Sequence, residues 1–166
     1  MWHSLSLALP AEAASLEERK LEQVLANQWG REPLLSESDR CDEDGCRAFQ
    51  QRDKEVELVR PWPAALAIHL KRWHVVSMLP FIQRKIPTAI DFETILPVAA
   101  DEPPYQLRAV VAHSGHAGGG HYTALVRSVD NHCYLCDDWR VPVRVGIERL
   151  RSASVAREAY MLFFER

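Results

Sequence analysis

The sequence has few cysteines, no long hydrophobic run and no excess of basic residues, and each absence excludes a class of protein. Four cysteines in 166 residues are too few for a disulfide-rich secreted scaffold. No apolar run reaches the roughly 18–20 residues that span a bilayer. The 20 Lys and Arg are outnumbered by 23 Asp and Glu, whereas nucleic-acid binding needs a cationic surface. We therefore expect an intracellular protein that binds neither nucleic acid nor membranes.

What remains is the composition of a globular protein, with 47% hydrophobic and 26% charged residues. A chain of this length buries roughly two thirds of its unfolded surface and is expected to form one domain. Leu5, Leu7 and Leu9 alternate with smaller residues, which predicts a strand with one buried face. The same stretch lacks the preceding basic residues of a signal peptide.

The period then changes, and residues 14–28 are predicted to form a helix. Ser15 and Glu18 fit a capping box, and Leu21, Val24 and Leu25 lie on one helical face. A second, weaker helix is predicted at residues 147–157. Strand-like runs occupy residues 54–60, 64–73, 105–113, 121–127, 133–136 and 160–164. This order predicts an α+β fold built on a mostly antiparallel sheet.

The most informative segment is a run of three glycines directly before His121, which opens a predicted strand. Because glycine has no Cβ, another backbone can approach it closely. The loop could therefore carry a peptide substrate up to the imidazole of His121. The alternative is a flexible hairpin tip with an incidental histidine.

Two adjacent carboxylates, Asp137 and Asp138, follow the next predicted strand. A hairpin turn near residues 129–131 would bring them nearly opposite His121. A carboxylate that accepts from one imidazole nitrogen leaves the other nitrogen free as a general base. Since a slip of one residue exchanges the two faces of a strand, the spacing does not choose between Asp137 and Asp138. A solvated turn is the alternative for this pair.

A cysteine nucleophile is harder to find. Cys133 and Cys136 are three residues apart in a strand and point to opposite faces, and Cys136 alone is typical of a small core residue. Cys41 and Cys46 lie in a polar, turn-rich segment and could supply half of a zinc site, but two ligands do not complete a tetrahedral site. Two free thiols in a polar loop are the alternative.

These residues together resemble the C-terminal half of the catalytic domain of ubiquitin-specific proteases, papain-like cysteine proteases that remove ubiquitin from proteins. The similar segments follow the family's order. They are the strand at residues 5–9, the helix at 16–25, the second half of the zinc ribbon of the fingers at 41–46, the signature strand at 63–73, residues 85–96, the strand at 105–115, the histidine box at 119–124, the acidic box at 137–138 and the closing strand at 159–166. The resemblance implies a single partial domain with a papain-like α+β fold, with fingers and connecting helix at about residues 1–60 and the palm at 61–166.

The resemblance also implies roles for individual residues. His121 would be the general base, Asp137 its orienting partner and Asp138 an auxiliary acid. The ubiquitin C-terminal tail would lie along His113, Gly119, Gly120 and Tyr122. The implied reaction is hydrolysis of the isopeptide or peptide bond after the last glycine of ubiquitin, through a thioester on cysteine. The implied partners are ubiquitin and ubiquitinated proteins, in the cytoplasm and/or the nucleus. Catalysis would need no cofactor, although Cys41 and Cys46 could bind a structural zinc.

The sequence departs from the family pattern at the nucleophile. The family's cysteine box and its first zinc CxxC pair are absent, and Trp73 replaces the commoner phenylalanine. Because a triad acts as a unit, His121 and Asp137 alone contribute little to acyl transfer. Two functions therefore compete: a cysteine deubiquitinase whose nucleophile-bearing half lies outside this chain, and an inactive remnant that binds ubiquitin or serves as a scaffold. A self-contained hydrolase that uses Cys136 or a serine is a weaker third alternative.

Overall fold

The computed structural model of this protein describes residues 2–9, 19–28, 32–34, 52–54, 62–92 and 103–166. The predicted capping box at residues 15–18, the Cys41 and Cys46 pair and most of the predicted fingers lie outside these residues. In the part of the chain that the structure describes, no helix is long and apolar enough to cross a membrane.

Thirteen strands, two α-helices and one 3-10 helix make up the described structure. In chain order they are β1 (Trp2–Ala8), β2 (Arg19–Lys20), α1 (Leu21–Gln28), β3 (Glu32–Leu34), β4 (Arg52–Lys54), β5 (Ala65–Lys71), β6 (Trp73–Met78), β7 (Phe81–Lys85), β8 (Ile90–Asp91), β9 (Gln106–His116), β10 (Gly119–Arg127), β11 (Cys133–Cys136), β12 (Val143–Val145), the 3-10 helix (Ile147–Arg151), α2 (Ala153–Glu158) and β13 (Ala159–Glu165).

A seven-stranded sheet forms the centre of the molecule, with the strand order β1-β5-β13-β9-β10-β11-β12. Only the β1 and β5 pair is parallel in this sheet; the other neighbours run antiparallel. The α+β fold with a mostly antiparallel sheet is therefore confirmed. The strands β9, β10 and β11 are joined by short hairpins, and they carry the predicted histidine and acidic boxes.

One face of this sheet is buried under the helices. The predicted apolar face of α1, formed by Leu21, Val24 and Leu25, packs into the same core as Leu7 and Ile68 of neighbouring strands. The core also receives Leu150 of the 3-10 helix, Val155 of α2 and the strand residues Leu70, Val110, Leu125, Leu162 and Phe164. Each large side chain buried in this way contributes about 1.5–3 kcal/mol. This packing fixes the sheet that positions the candidate site.

The predicted strand at residues 64–73 is wrong as a single element, because it breaks at Arg72 into β5 and β6. The Arg72 side chain is fully buried and donates to the carbonyl oxygens of Ile86 (3.0 Å), Thr88 (2.8 Å), Ala156 (2.8 Å) and Ala159 (2.5 Å). Burial lowers the pKa of its guanidinium to about 10, so it is charged at neutral pH. Arg72 thus joins three distant segments of the chain.

The two predicted helices also differ in detail from those observed. Arg19 and Lys20, placed in the first helix by the sequence pattern, instead form a parallel strand pair with Ile90 and Asp91, and the helix begins at Leu21. The weaker predicted helix at 147–157 consists of the 3-10 helix followed by α2. The side chain of Ser152 separates them and accepts a hydrogen bond from the backbone N–H of Val155 at 3.4 Å.

Candidate active site

A tight hairpin between β9 and β10 places His121 beside the glycine-rich turn. His121 pairs with Ser114, and Gly120 pairs with Gly115. Gly115 has a φ of 114°, and a Cβ there would lie 2.7 Å from both the Gly119 oxygen and the Gly120 Cα. Glycine is therefore required at position 115 for the two strands to approach each other this closely.

The next hairpin returns the chain from β10 to β11, as the turn residues predict. The N–H of Asn131 donates to the Ser128 oxygen at 3.0 Å, and the N–H of Ser128 donates to the His132 oxygen at 2.8 Å. Asn131 adopts a left-handed conformation with a φ of 64°. The resulting register pairs Ala124 with Cys136, so that Asp137 emerges from the end of β11 on the side of His121.

The structure brings His121 and the two carboxylates together and distinguishes between them. Nε2 of His121 lies 2.5 Å from Oδ1 of Asp137, whereas Nδ1 lies 3.8 Å from Oδ2 of Asp138. The Asp137 side chain is 24% exposed and that of Asp138 57% exposed. In the neutral imidazole, Nε2–H therefore donates to Asp137, and Nδ1 retains a lone pair that can accept a proton.

Asp137 has a second partner that the sequence reasoning missed. Nη1 of Arg140 lies 3.1 Å from Oδ2 of Asp137, and the backbone N–H of Arg140 donates to the backbone carbonyl oxygen of Asp137 at 3.0 Å. A basic residue three positions after an acid in a predicted turn is the signal that could have found it.

The same three side chains also meet the distance requirement for a cation site, since His121, Asp137 and Asp138 offer ligand atoms within 4.8 Å of one another. The two carboxylates, however, face different ring nitrogens. The shortest contact in this group is the 2.5 Å hydrogen bond between Nε2 of His121 and Oδ1 of Asp137, so the arrangement shows a histidine held by a carboxylate.

A groove of about 350 Å³ lies between the glycine-rich turn and the β6–β7 hairpin, and its lining includes both chain neighbours of His121, which are Gly120 and Tyr122. All four residues predicted to contact a peptide tail, His113, Gly119, Gly120 and Tyr122, line it. The structure adds lining residues that the sequence did not indicate, which are Trp73, Gln83, His116, Ala117 and Gly118. The glycines of the turn thus line the groove without side chains, whereas β6 and β7 contribute an indole and an amide to it.

His113 forms part of the groove and is held by its neighbours. It is only 5% exposed, and its ring contacts those of Tyr122 and Trp73, with centroids 4.6 Å and 5.6 Å away. Nζ of Lys85 donates to its backbone oxygen. Burial, and then the charge of Lys85, lower the pKa of His113, which favours the neutral imidazole. A Cβ at position 120 would overlap Nε2 of this ring, so only glycine fits at that position of β10.

Neither cysteine in the described part of the chain is placed to serve His121 as a nucleophile. Cys136 pairs with Ala124 and so points to the opposite face of the sheet from His121. Cys133 shares the face of His121 but lies at the far end of β11, buried in the core. Burial raises the pKa of the Cys133 thiol, which disfavours the reactive thiolate.

Residues 18–164 match the family described as "Ubiquitin carboxyl-terminal hydrolase". Ubiquitin carboxyl-terminal hydrolase 12 of Saccharomyces cerevisiae is 35% identical over 135 residues, which cover 73% of this chain and 10% of that protein. Human ubiquitin carboxyl-terminal hydrolase 15 is 33% identical over 132 residues, which cover 73% of this chain and 12% of that protein.

The fold has solved counterparts over almost its whole length. A chain of the yeast SAGA DUB module superposes with a TM-score of 0.74 and 26% identity, covering 98% of this chain and 34% of its own. A second structure of that module, bound to monoubiquitin, gives a TM-score of 0.72 at 24% identity, with 98% and 34% coverage. The chain spans about a tenth of the length of these two curated relatives and about a third of the structural ones. From the matched family and the shared fold, the chain belongs to the ubiquitin carboxyl-terminal hydrolase family and has the papain-like fold of its ubiquitin-specific proteases.

Proposed function

We propose that this chain is the histidine- and aspartate-bearing part of a cysteine-type deubiquitinase, which cleaves the isopeptide or peptide bond after the last glycine of ubiquitin. The observation that carries the proposal is the 2.5 Å contact between His121 and Asp137, with a groove lined by the glycines that directly precede His121. Membership of a family named for ubiquitin hydrolysis supports the reaction class.

In the proposed mechanism, Asp137 holds His121 through Nε2–H, and Nδ1 takes the proton of a cysteine thiol supplied from outside this chain. The thiolate attacks the carbonyl carbon of the last ubiquitin glycine, and His121 returns the proton to the departing amine. The products are a thioester and a free amine. His121 then deprotonates a water molecule that hydrolyses the thioester and releases the ubiquitin carboxylate.

The groove would take the tail that precedes the cleaved bond. Gly119 and Gly120, which directly precede His121 in the chain, line it together with His113 and Tyr122, whose ring centroids are 4.6 Å apart. A wall without side chains leaves room for an extended backbone but admits only small residues beside it. The ubiquitin tail, which ends in two glycines, fits this requirement.

Titration of the chain with ubiquitin, and with ubiquitin that lacks its last two glycines, tests the proposed groove. We expect intact ubiquitin to bind and the truncated form to bind measurably more weakly, with NMR shifts at His113 and Tyr122 only for the intact form. Equal binding of the two forms would contradict the role of the groove, and no binding up to millimolar ubiquitin would refute the partner.

The inactive ubiquitin-binding remnant is the second candidate, and the placement of Cys133 and Cys136 away from His121 favours it for the chain alone. A ubiquitin–fluorophore conjugate separates the two. Release of fluorophore that is lost in His121→Ala identifies an enzyme. Binding without release by the chain alone identifies the remnant, unless adding the cysteine-bearing half restores release. Release retained in His121→Ala would refute the assignment of the base.

A further inference from the structure

We infer that Arg140 is a positioning residue that holds the carboxylate of Asp137 against Nε2 of His121. Asp137 uses its two oxygens differently: Oδ1 lies 2.5 Å from His121, and Oδ2 lies 3.1 Å from Nη1 of Arg140. The carboxylate is therefore held at both ends. This inference rests on the proposed function in one respect: a fixed pair of His121 and Asp137 serves catalysis only if the protein is the deubiquitinase proposed above.

The local backbone explains why Arg140 reaches this carboxylate. The backbone N–H of Arg140 donates to the backbone carbonyl oxygen of Asp137 at 3.0 Å and closes a turn over residues 137–140. Within it, Asp138 adopts a left-handed conformation with a φ of 48°. The turn brings residue 140 back beside residue 137 and leaves Asp138 the more exposed of the two acids. Arg140 and the turn together select Asp137 as the partner of His121.

Orientation, rather than stability, is what this contact supplies. The terminal torsion of an aspartate has a broad energy minimum, so a carboxylate with one hydrogen bond can rotate away from its partner. A second contact on the other oxygen restricts that rotation. The Arg140 side chain is 75% exposed, and exposed ion pairs contribute little to folding. The variant Arg140→Ala should therefore fold normally.

The protonated nitrogen of His121 reports on this orientation directly. We would label the 166-residue chain with ¹⁵N and record long-range ¹H–¹⁵N correlations of His121 with the imidazole neutral. A well-held Asp137 favours the Nε2–H tautomer. We expect Asp137→Ala to move the Nε2 and Nδ1 shifts of His121 toward each other, and Arg140→Ala to cause at least half of that movement.

Two further variants make the result specific. Arg140→Lys should restore most of the wild-type shifts, because the observed contact uses one donor and one oxygen, which an ammonium can supply. Arg144→Ala removes an exposed arginine from the adjacent strand β12 and should leave the shifts unchanged. Backbone spectra of all variants confirm that each is folded.

Wild-type His121 shifts in Arg140→Ala would overturn the inference. Equal movements in Arg144→Ala would also overturn it, because the effect would then be one of general charge. The measurement needs no ubiquitin and no cysteine. A failure to bind or cleave ubiquitin would therefore refute the proposed function but not the positioning role of Arg140. Unchanged His121 shifts in Arg140→Ala would refute the positioning role but not the proposed function.

Discussion

At the scale of single residues, the site depends on positions where no side chain fits. A Cβ at Gly120 would overlap the ring of His113 and lie 2.5 Å from the backbone oxygen of Ser114, which cannot move without distorting β9. We predict that Gly120→Ala lowers the free energy of unfolding by about 1–3 kcal/mol. Urea denaturation measures this. At Gly118 the nearest atom to an added Cβ is 3.5 Å away, so Gly118→Ala should change stability by less than about 0.5 kcal/mol, and equal losses would refute the steric argument.

The pairing of His121 with an acid was predictable, whereas the choice of acid was not. The glycines, the turn residues and the length of β11 already indicate that carboxylates return opposite His121. Which carboxylate faces the ring depends on the left-handed conformation of Asp138 and on Arg140, both set by the turn after the strand. Neither the conformation of Asp138 nor the contact of Arg140 produces a periodic hydrophobic pattern, so hydrophobic spacing does not predict either of them.

At the scale of elements, Arg72 determines where β5 ends and which segments pack around it. Its four carbonyl partners belong to residues far apart in sequence, so no local pattern could reveal the break between β5 and β6. The pairing of residues 19–20 with 90–91, which shortens the predicted helix, is likewise a long-range contact. Elements whose pattern is local, such as β11 and the apolar face of α1, were predicted correctly.

Substitution of Arg72 tests this organising role. Arg72→Met keeps an apolar stem but leaves four buried carbonyl oxygens without donors, each costing about 1–3 kcal/mol if unrelieved. We predict a loss of at least about 3 kcal/mol in the free energy of unfolding, by urea denaturation at neutral pH. The control Arg84→Met changes an exposed residue on β7 and should alter stability by less than about 0.5 kcal/mol. A small loss in Arg72→Met would show that water replaces the missing donors.

At the scale of the whole molecule, two histidines make stability depend on pH. Burial and Lys71 lower the pKa of His69, and burial and Lys85 lower that of His113. The unfolded chain therefore binds protons at these sites more readily than the folded chain. Stability should be highest above the ordinary histidine pKa of about 6.5 and fall as the pH drops below it.

Urea denaturation at several pH values between about 7.5 and 5.5 measures this fall in the free energy of unfolding. We expect the fall to be smaller in the double variant His69→Gln, His113→Gln, because neither glutamine binds a proton. An equal fall in the double variant would place the pH dependence elsewhere in the protein.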